Sequence, residues 1–136
     1  MITAVDSSVL IDVFIDDPRF SDSSTSAVRD AMTQGAVVVC EVVWAEVTGW
    51  GRPERLIIDA MAELGIGYLP VVQEAAALAG QVWARYRAAG GSRDRMVPDF
   101  LVGAHALTQA DRLLTRDRGF YRRYFGELTI IDPTSD

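Results

Sequence analysis

Asp6, Glu46, Asp99 and Asp117 are isolated carboxylates, each placed where a short apolar stretch ends or where the helical stretch beside it begins. If the apolar stretches are strands of one parallel sheet, their carboxyl ends share an edge, and each crossover helix returns its N-terminus to that edge. Acids from four parts of the chain would then meet in one cleft. Carboxylates brought that close repel one another and raise each other's pKa, and divalent cations relieve the repulsion. The chemistry this pattern points to is a metal-binding acidic pocket.

Each acid also has a plainer reading. Asp6 could cap the helix after the first strand, a task Ser7 or Ser8 could equally perform. Asp99 could favour the positive end of its helix, and Asp117 could form an Asx turn or pair with its arginine neighbours. Glu46 resists such an explanation. Its neighbours at helical spacing are Val42, Val43, Gly49 and Trp50, so its carboxylate projects from an apolar face where an unpaired charge is costly.

Other chemistries are removed by the same residues. The chain has no lysine, which excludes a phosphate-binding P-loop and a phosphoryl-receiver site. His105 is the sole histidine, which excludes multi-histidine metal centres; within Gly103-Ala104-His105-Ala106-Leu107 it reads as a satisfied, partly buried helix residue. No Gly-x-Ser-x-Gly elbow is present. Oxygen-only coordination remains, the preference of Mg2+ or Mn2+. Cys40, alone in an apolar run, reads as core and fits a reducing compartment.

The net charge of −6 argues against a protein that coats nucleic acid through a broad basic face. Locally, however, arginines bunch at 85, 87, 93 and 95 and again at 112, 116, 118, 122 and 123. Arginine binds phosphate in a two-pronged fashion and stacks on bases, which suits RNA. An arginine-only, alanine-rich composition is also what a GC-rich genome encodes, so the arginines alone do not decide the ligand.

Alternating elements must position these groups. Ile2 to Val5 reads as a strand, followed by a helix through Val9, Leu10, Val13 and Phe14 that Pro18 stops. The serines of 21–26 offer N-caps for a helix through Ala27, Val28, Ala31 and Met32, closed by Gly35. Ala36 to Val39 reads as a buried strand leading into a helix through Trp44, Val47 and Trp50; Trp44, Trp50 and Trp83 are expected in the core. Gly51-Arg52-Pro53 breaks that helix and starts another carrying Leu56, Ile57, Ala60, Met61 and Leu64. Gly65-Ile66-Gly67 is a turn, and Tyr68 to Val72 a third strand, with Pro70 suited to an edge. A long helix spans Gln73 to Ala89, another runs from Pro98 to Ala110, and Arg112 to Thr115 and Leu128 to Ile131 are short strands. The expectation is a single α/β domain over residues 1–136 with a mostly parallel sheet of about five strands. No run approaches the length of a membrane span, and the first residues lack a signal-peptide pattern, so a cytoplasmic protein is expected.

Four segments taken together carry a family resemblance: Val5-Asp6-Ser7-Ser8-Val9-Leu10-Ile11-Asp12, Val43-Trp44-Ala45-Glu46-Val47, Pro98-Asp99-Phe100-Leu101-Val102-Gly103-Ala104-His105-Ala106, and Leu113-Leu114-Thr115-Arg116-Asp117-Arg118-Gly119-Phe120. In this order and spacing the chain resembles the PIN-domain ribonucleases, and most of all the VapC-type toxins of bacterial toxin–antitoxin pairs. The resemblance implies a sheet of order 3-2-1-4-5 between helices, with Asp6, Glu46, Asp99 and Asp117 as the acidic active-site set. It implies that Thr115 is the small hydroxyl residue ordering that site, with a lesser part for Ser8. It further implies endonucleolytic RNA cleavage with Mg2+ or Mn2+, a homodimer, and a cognate antitoxin whose C-terminal segment wraps the toxin and delivers a basic side chain to the pocket. Asp12 and Asp94 read as solvated surface residues. Arg112, Arg116 and Arg118 either counter the phosphates flanking the cut or make surface ion pairs. Two other readings stay open: a PIN-like module that binds RNA or protein without cleaving it, and a metal-dependent phosphohydrolase acting on small phosphate esters.

Overall fold

A computed structural model describes residues 1–92, 95 and 97–134. The strands β1 (Ile2–Val5), β2 (Ala36–Val39), β3 (Gly67–Tyr68), β4 (Arg112–Leu114) and β5 (Ile130–Ile131) form one sheet in the order β3-β2-β1-β4-β5. Every neighbouring pair is parallel. The helices are α1 (Ser7–Phe14), α2 (Ser21–Gln34), α3 (Glu41–Thr48), α4 (Glu54–Glu63), α5 (Gln73–Ala88), α6 (Val97–Gln109) and α7 (Arg118–Tyr124). This is the α/β architecture and strand order that the resemblance implies.

A parallel sheet covered on both faces needs nearly continuous apolar strands. The central strands comply: Ala4, Val5, Val37, Val39, Leu113 and Leu114 are all buried. Register brings Ala4 opposite both Val38 and Leu113, and Val5 opposite Leu114, so β1 and β4 end side by side. Asp6 and Thr115 are the next residues along those two strands. On the far side of β4, an aromatic cluster joins three helices, with Phe100 of α6 packed edge-on to Phe120 of α7 at 5.2 Å and tilted against Tyr86 of α5 at 5.3 Å.

Two glycines are required by close approach. Gly35 sits at φ +151° between α2 and β2, and a Cβ there would collide with the Met1 backbone. Gly103 faces the Phe125 ring so closely that any side chain would displace it, which lets the end of α7 settle onto α6.

The structure corrects several expected elements. The serines of 21–26 do not precede a helix but lie inside α2, because the Asp17 carboxylate accepts from the Arg19 and Phe20 amides at 2.8 and 3.2 Å and turns the chain early. The third strand is Gly67–Tyr68, so it begins one residue before the expected Tyr68 to Val72 and shares only Tyr68 with it. Beyond it the Val71 amide donates to the Glu41 side chain and the Val72 amide to Gln109, so side chains take over from the strand ladder around Pro70. Trp50 is not core: it lies past the end of α3 and is 55% exposed. Trp44 and Trp83 are partly buried against the core. Helix α7, only seven residues long, was not anticipated. Among the described residues no helix is long and apolar enough to cross a membrane.

Candidate active site

Asp6 leaves β1 and becomes the N-cap of α1, so the helix start turns its side chain back over the strand ends. One carboxylate oxygen accepts from the Ser7 amide at 2.9 Å; the other accepts from the Thr115 hydroxyl at 2.7 Å and the Ser8 hydroxyl at 3.1 Å. Thr115 is fully buried, and its oxygen also accepts from the Asp117 amide at 3.0 Å. A single hydroxyl thereby ties the carboxylate after β1 to the loop after β4. These donors are neutral. They stabilise the Asp6 charge without cancelling it, and burial, aided by Asp117, leaves the carboxyl above its ordinary value.

The other acids surround this point. Asp117 stands at the N-cap position of α7 without a side-chain capping bond, and Asp99 lies in the first turn of α6. Arg95 places its guanidinium between them, 2.7 Å from Asp117 and 3.9 Å from Asp99. Glu46 does not project from an apolar face as expected; it stands on the exposed lip of α3. Partial desolvation in the cleft and the nearby Asp6 and Asp99 charges still raise its carboxyl, against a hydrogen bond from the Ser7 side chain. The structure therefore brings all four acids to the carboxyl edge of the sheet.

Tyr121 is a neighbour that the sequence reading missed. It is 2% exposed, and its phenol lies near enough to Asp6, Asp99, Asp117 and Glu46 for each to add to the effect of burial, which pushes it well above its usual value. The signal was present in the spacing: Tyr121 lies four residues after Asp117 and so returns to the same side of α7. Held above its usual value, the phenol keeps its proton and adds no further negative charge to the acidic cleft.

Asp12 requires a second correction. It is 2% exposed, not solvated. Its carboxylate accepts a two-pronged pair from Arg116 at 2.6 and 2.9 Å and a hydrogen bond from Ser24 at 2.9 Å. The guanidinium also stacks over the Phe20 ring at 4.1 Å. Because Arg116 stands between Thr115 and Asp117, this pair fastens the loop of the site to α1 and α2. Arg116 is thereby committed to an internal partner. Arg112 lies at the amino end of β4, bound to Thr3 and Gln34, on the edge of the sheet away from the acids. Arg118 approaches Asp132 at 3.5 Å. Arg93 and Asp94 lie outside the described residues.

The remaining singled-out groups follow expectation. His105 is buried on α6 with Nε2 2.8 Å from the Leu69 carbonyl oxygen, and burial holds its pKa below the ordinary value. Cys40 is a free, buried thiol whose pKa burial raises.

A hard divalent cation suits this donor chemistry, since the cleft offers carboxylate oxygens that burial and mutual repulsion hold in an unfavourable charged state. Asp6, Asp99, Asp117 and Glu46 are the groups that would hold it. As arranged, no three acidic, histidine or cysteine side chains among the described residues converge on one point. The set is a shared cleft and not a closed chelate, with Arg95 in contact with its Asp117 side.

Comparison with known proteins adds the following. The family model described as PIN domain matches residues 3–126. No curated protein sequence matches the chain. Among solved structures, VapBC2 from Rickettsia felis, bound to a DNA fragment from its promoter, is similar with a TM-score of 0.77 at 14% identity, covering 97% of this chain and 98% of that one. VapBC-1 from nontypeable Haemophilus influenzae gives 0.75 at 16% identity, covering 99% and 100%. A toxin-antitoxin complex from Klebsiella pneumoniae gives 0.65 at 16%, covering 98% and 99%. At these identities the likeness is one of fold.

Proposed function

The chain belongs to the PIN domain family, and on that premise we propose that it is a VapC-type toxin: a Mg2+- or Mn2+-dependent endoribonuclease restrained by a cognate antitoxin. The observation that carries this reading is Asp6, a buried carboxylate held by two hydroxyls and a backbone amide beside three further acids. A structural acid in that position would be expected to find a cation or to be absent. A divalent ion bound there would supply an acidified water and neutralise the scissile phosphate.

The protein's own residues have distinct parts in this reading. Asp6, Asp99 and Asp117 present oxygens for the cation. Thr115 fixes the Asp6 oxygen and the Asp117 amide relative to one another. Glu46 stands on the open side of the cleft with a raised pKa, which suits it to accept a proton from the attacking water. Tyr121 keeps its proton and so adds no charge beside the acids.

Residues 1–136 are read as one PIN-like ribonuclease domain that acts as a cytoplasmic homodimer, the free thiol of Cys40 suiting a reducing compartment. The partner reading is supported by fold likeness to proteins solved as VapBC and toxin-antitoxin complexes. The decisive assay incubates the purified protein with structured RNA or a chromogenic phosphate ester, in Mg2+, in Mn2+ or in chelator. Internal RNA cuts that require metal are expected, with the ester untouched. Ester turnover without RNA cleavage would favour a phosphohydrolase. RNA or protein binding without turnover of either would favour a non-catalytic module.

A further inference from the structure

Arg95 is the feature that the proposed function leaves unused. It precedes α6, and its guanidinium meets Asp117 at 2.7 Å and Asp99 at 3.9 Å, two of the four acids. A second anchor is independent of the acids: the same guanidinium lies over the Phe120 ring at 4.4 Å, and that ring is fixed by its edge-on packing against Phe100. The side chain is about one-third exposed, so it sits at the mouth of the cleft and is not sealed within it. Its electrostatic surroundings extend to Tyr121, the phenol at the cleft floor.

An arginine and a divalent cation make the same demand on a carboxylate, and Asp117 cannot satisfy both with the same oxygens. One guanidinium nitrogen holds an Asp117 carboxylate oxygen at 2.7 Å, and that oxygen is not open to a cation while the pair persists.

Resting on the metal-nuclease reading above, we propose that Arg95 is a built-in counter-ion of the cleft that competes with the divalent cation for Asp117, and so sets how much metal the protein needs. Metal loading displaces the guanidinium from Asp117 while the Phe120 ring keeps it at the mouth. The strength of the competition is bounded by its parts. The ion contacts that metal would break, to Asp117 and to Asp99, together correspond to about three- to tenfold in metal affinity.

The test is calorimetric titration of the metal-free protein with Mn2+, for the parent, Arg95→Met and Arg95→Lys, with melting temperatures measured with and without Mn2+. Arg95→Met keeps the apolar stem and removes the charge. It should bind Mn2+ about three- to tenfold more tightly, melt lower than the parent without metal, and show a larger metal-induced rise. Arg95→Lys, which keeps a charge but loses the planar fork and stacking, should fall between them. Equal or weaker Mn2+ binding by Arg95→Met, with the parent still binding, overturns the role of Arg95 and leaves the metal reading standing. No Mn2+ binding by any of the three proteins overturns both.

Discussion

Asp6 and Asp12 enter the interior from the same short helix, the first as its N-cap and the second less than two turns later, and both are buried. Asp12 meets the Arg116 guanidinium, itself stacked on Phe20, in a two-pronged pair, and a serine hydroxyl. Asp6 meets hydroxyls and an amide only, with Glu46 and Asp117 close enough to disfavour its charge. The first arrangement is complete in itself. The second has only neutral donors, and in the proposed reading a divalent cation supplies the positive charge. Function is thus marked less by burial of an acid than by what the fold withholds from it.

The largest expected effect separates the two acids by activity. Asp6→Asn, Asp99→Asn, Asp117→Asn and Glu46→Gln should each lower RNA cleavage by about 100-fold or more, since even changes behind the ligands of a metal site cost about 10–100-fold. Thr115→Val, which removes the hydroxyl linking Asp6 to Asp117, should fall within that 10–100-fold range. Asp12→Asn should keep most of its activity at a temperature where it is fully folded. Initial rates on one RNA, with folding checked by circular dichroism, decide the matter. An Asp12 variant as inactive as the Asp6 variant would erase the distinction.

Stability should show the reverse order. Removing one partner of a buried ion pair costs about 3–5 kcal/mol, reduced here to about 2–3 kcal/mol because the Arg116 side chain is 29% exposed. For a domain of this size that lowers Tm by roughly 10 °C. The double variant Asp12→Asn, Arg116→Met should be little worse than Asp12→Asn alone, because the two residues act as a unit. Additive losses in thermal melts would mean that the pair is not coupled.

The smallest effect is a pH dependence. Burial raises Asp6, and burial with neighbouring acids raises Glu46, so the folded state binds those protons more tightly than the unfolded chain. Their ionisation therefore costs stability above the raised values, and the cost fades as pH falls toward the ordinary carboxylate range near 4. Histidine works in the opposite sense, since a buried His105 with a lowered pKa loses stability on acidification. A difference measurement isolates the carboxylate. The stability of Asp6→Asn relative to the parent, from denaturant melts in chelator, should be greatest near pH 7 and shrink toward pH 4. A gap that widens on acidification contradicts the assigned direction.

Much of this was legible in the sequence because strand ends in a parallel sheet share an edge. Once Ile2–Val5 and Arg112–Leu114 are strands, Asp6, Thr115 and Asp117 must lie together. Asp12 was misread because helical spacing alone cannot show a partner more than 100 residues away; only the fold brings Arg116 to it. Arg95 was seen merely as one of a basic bunch, since an irregular stretch before a helix gives no periodicity from which to aim a side chain. The short α7 is too brief for a period to identify it as a helix, so the four-residue spacing from Asp117 to Tyr121 had no helix to give it meaning. Trp50 failed for a simpler reason. A glycine follows Thr48 as the cap of α3, so the periodic pattern was extended one step past the helix.

The most direct measurement is Mn2+ binding to Asp6→Asn and Asp12→Asn side by side, by calorimetry, below the melting temperature of both. The account predicts that the Asp6 variant loses specific binding while the Asp12 variant binds within a few-fold of the parent. Retained binding in the Asp6 variant, or equal loss in both, would contradict the claim that Asp6 is held for a charge that its own contacts do not supply.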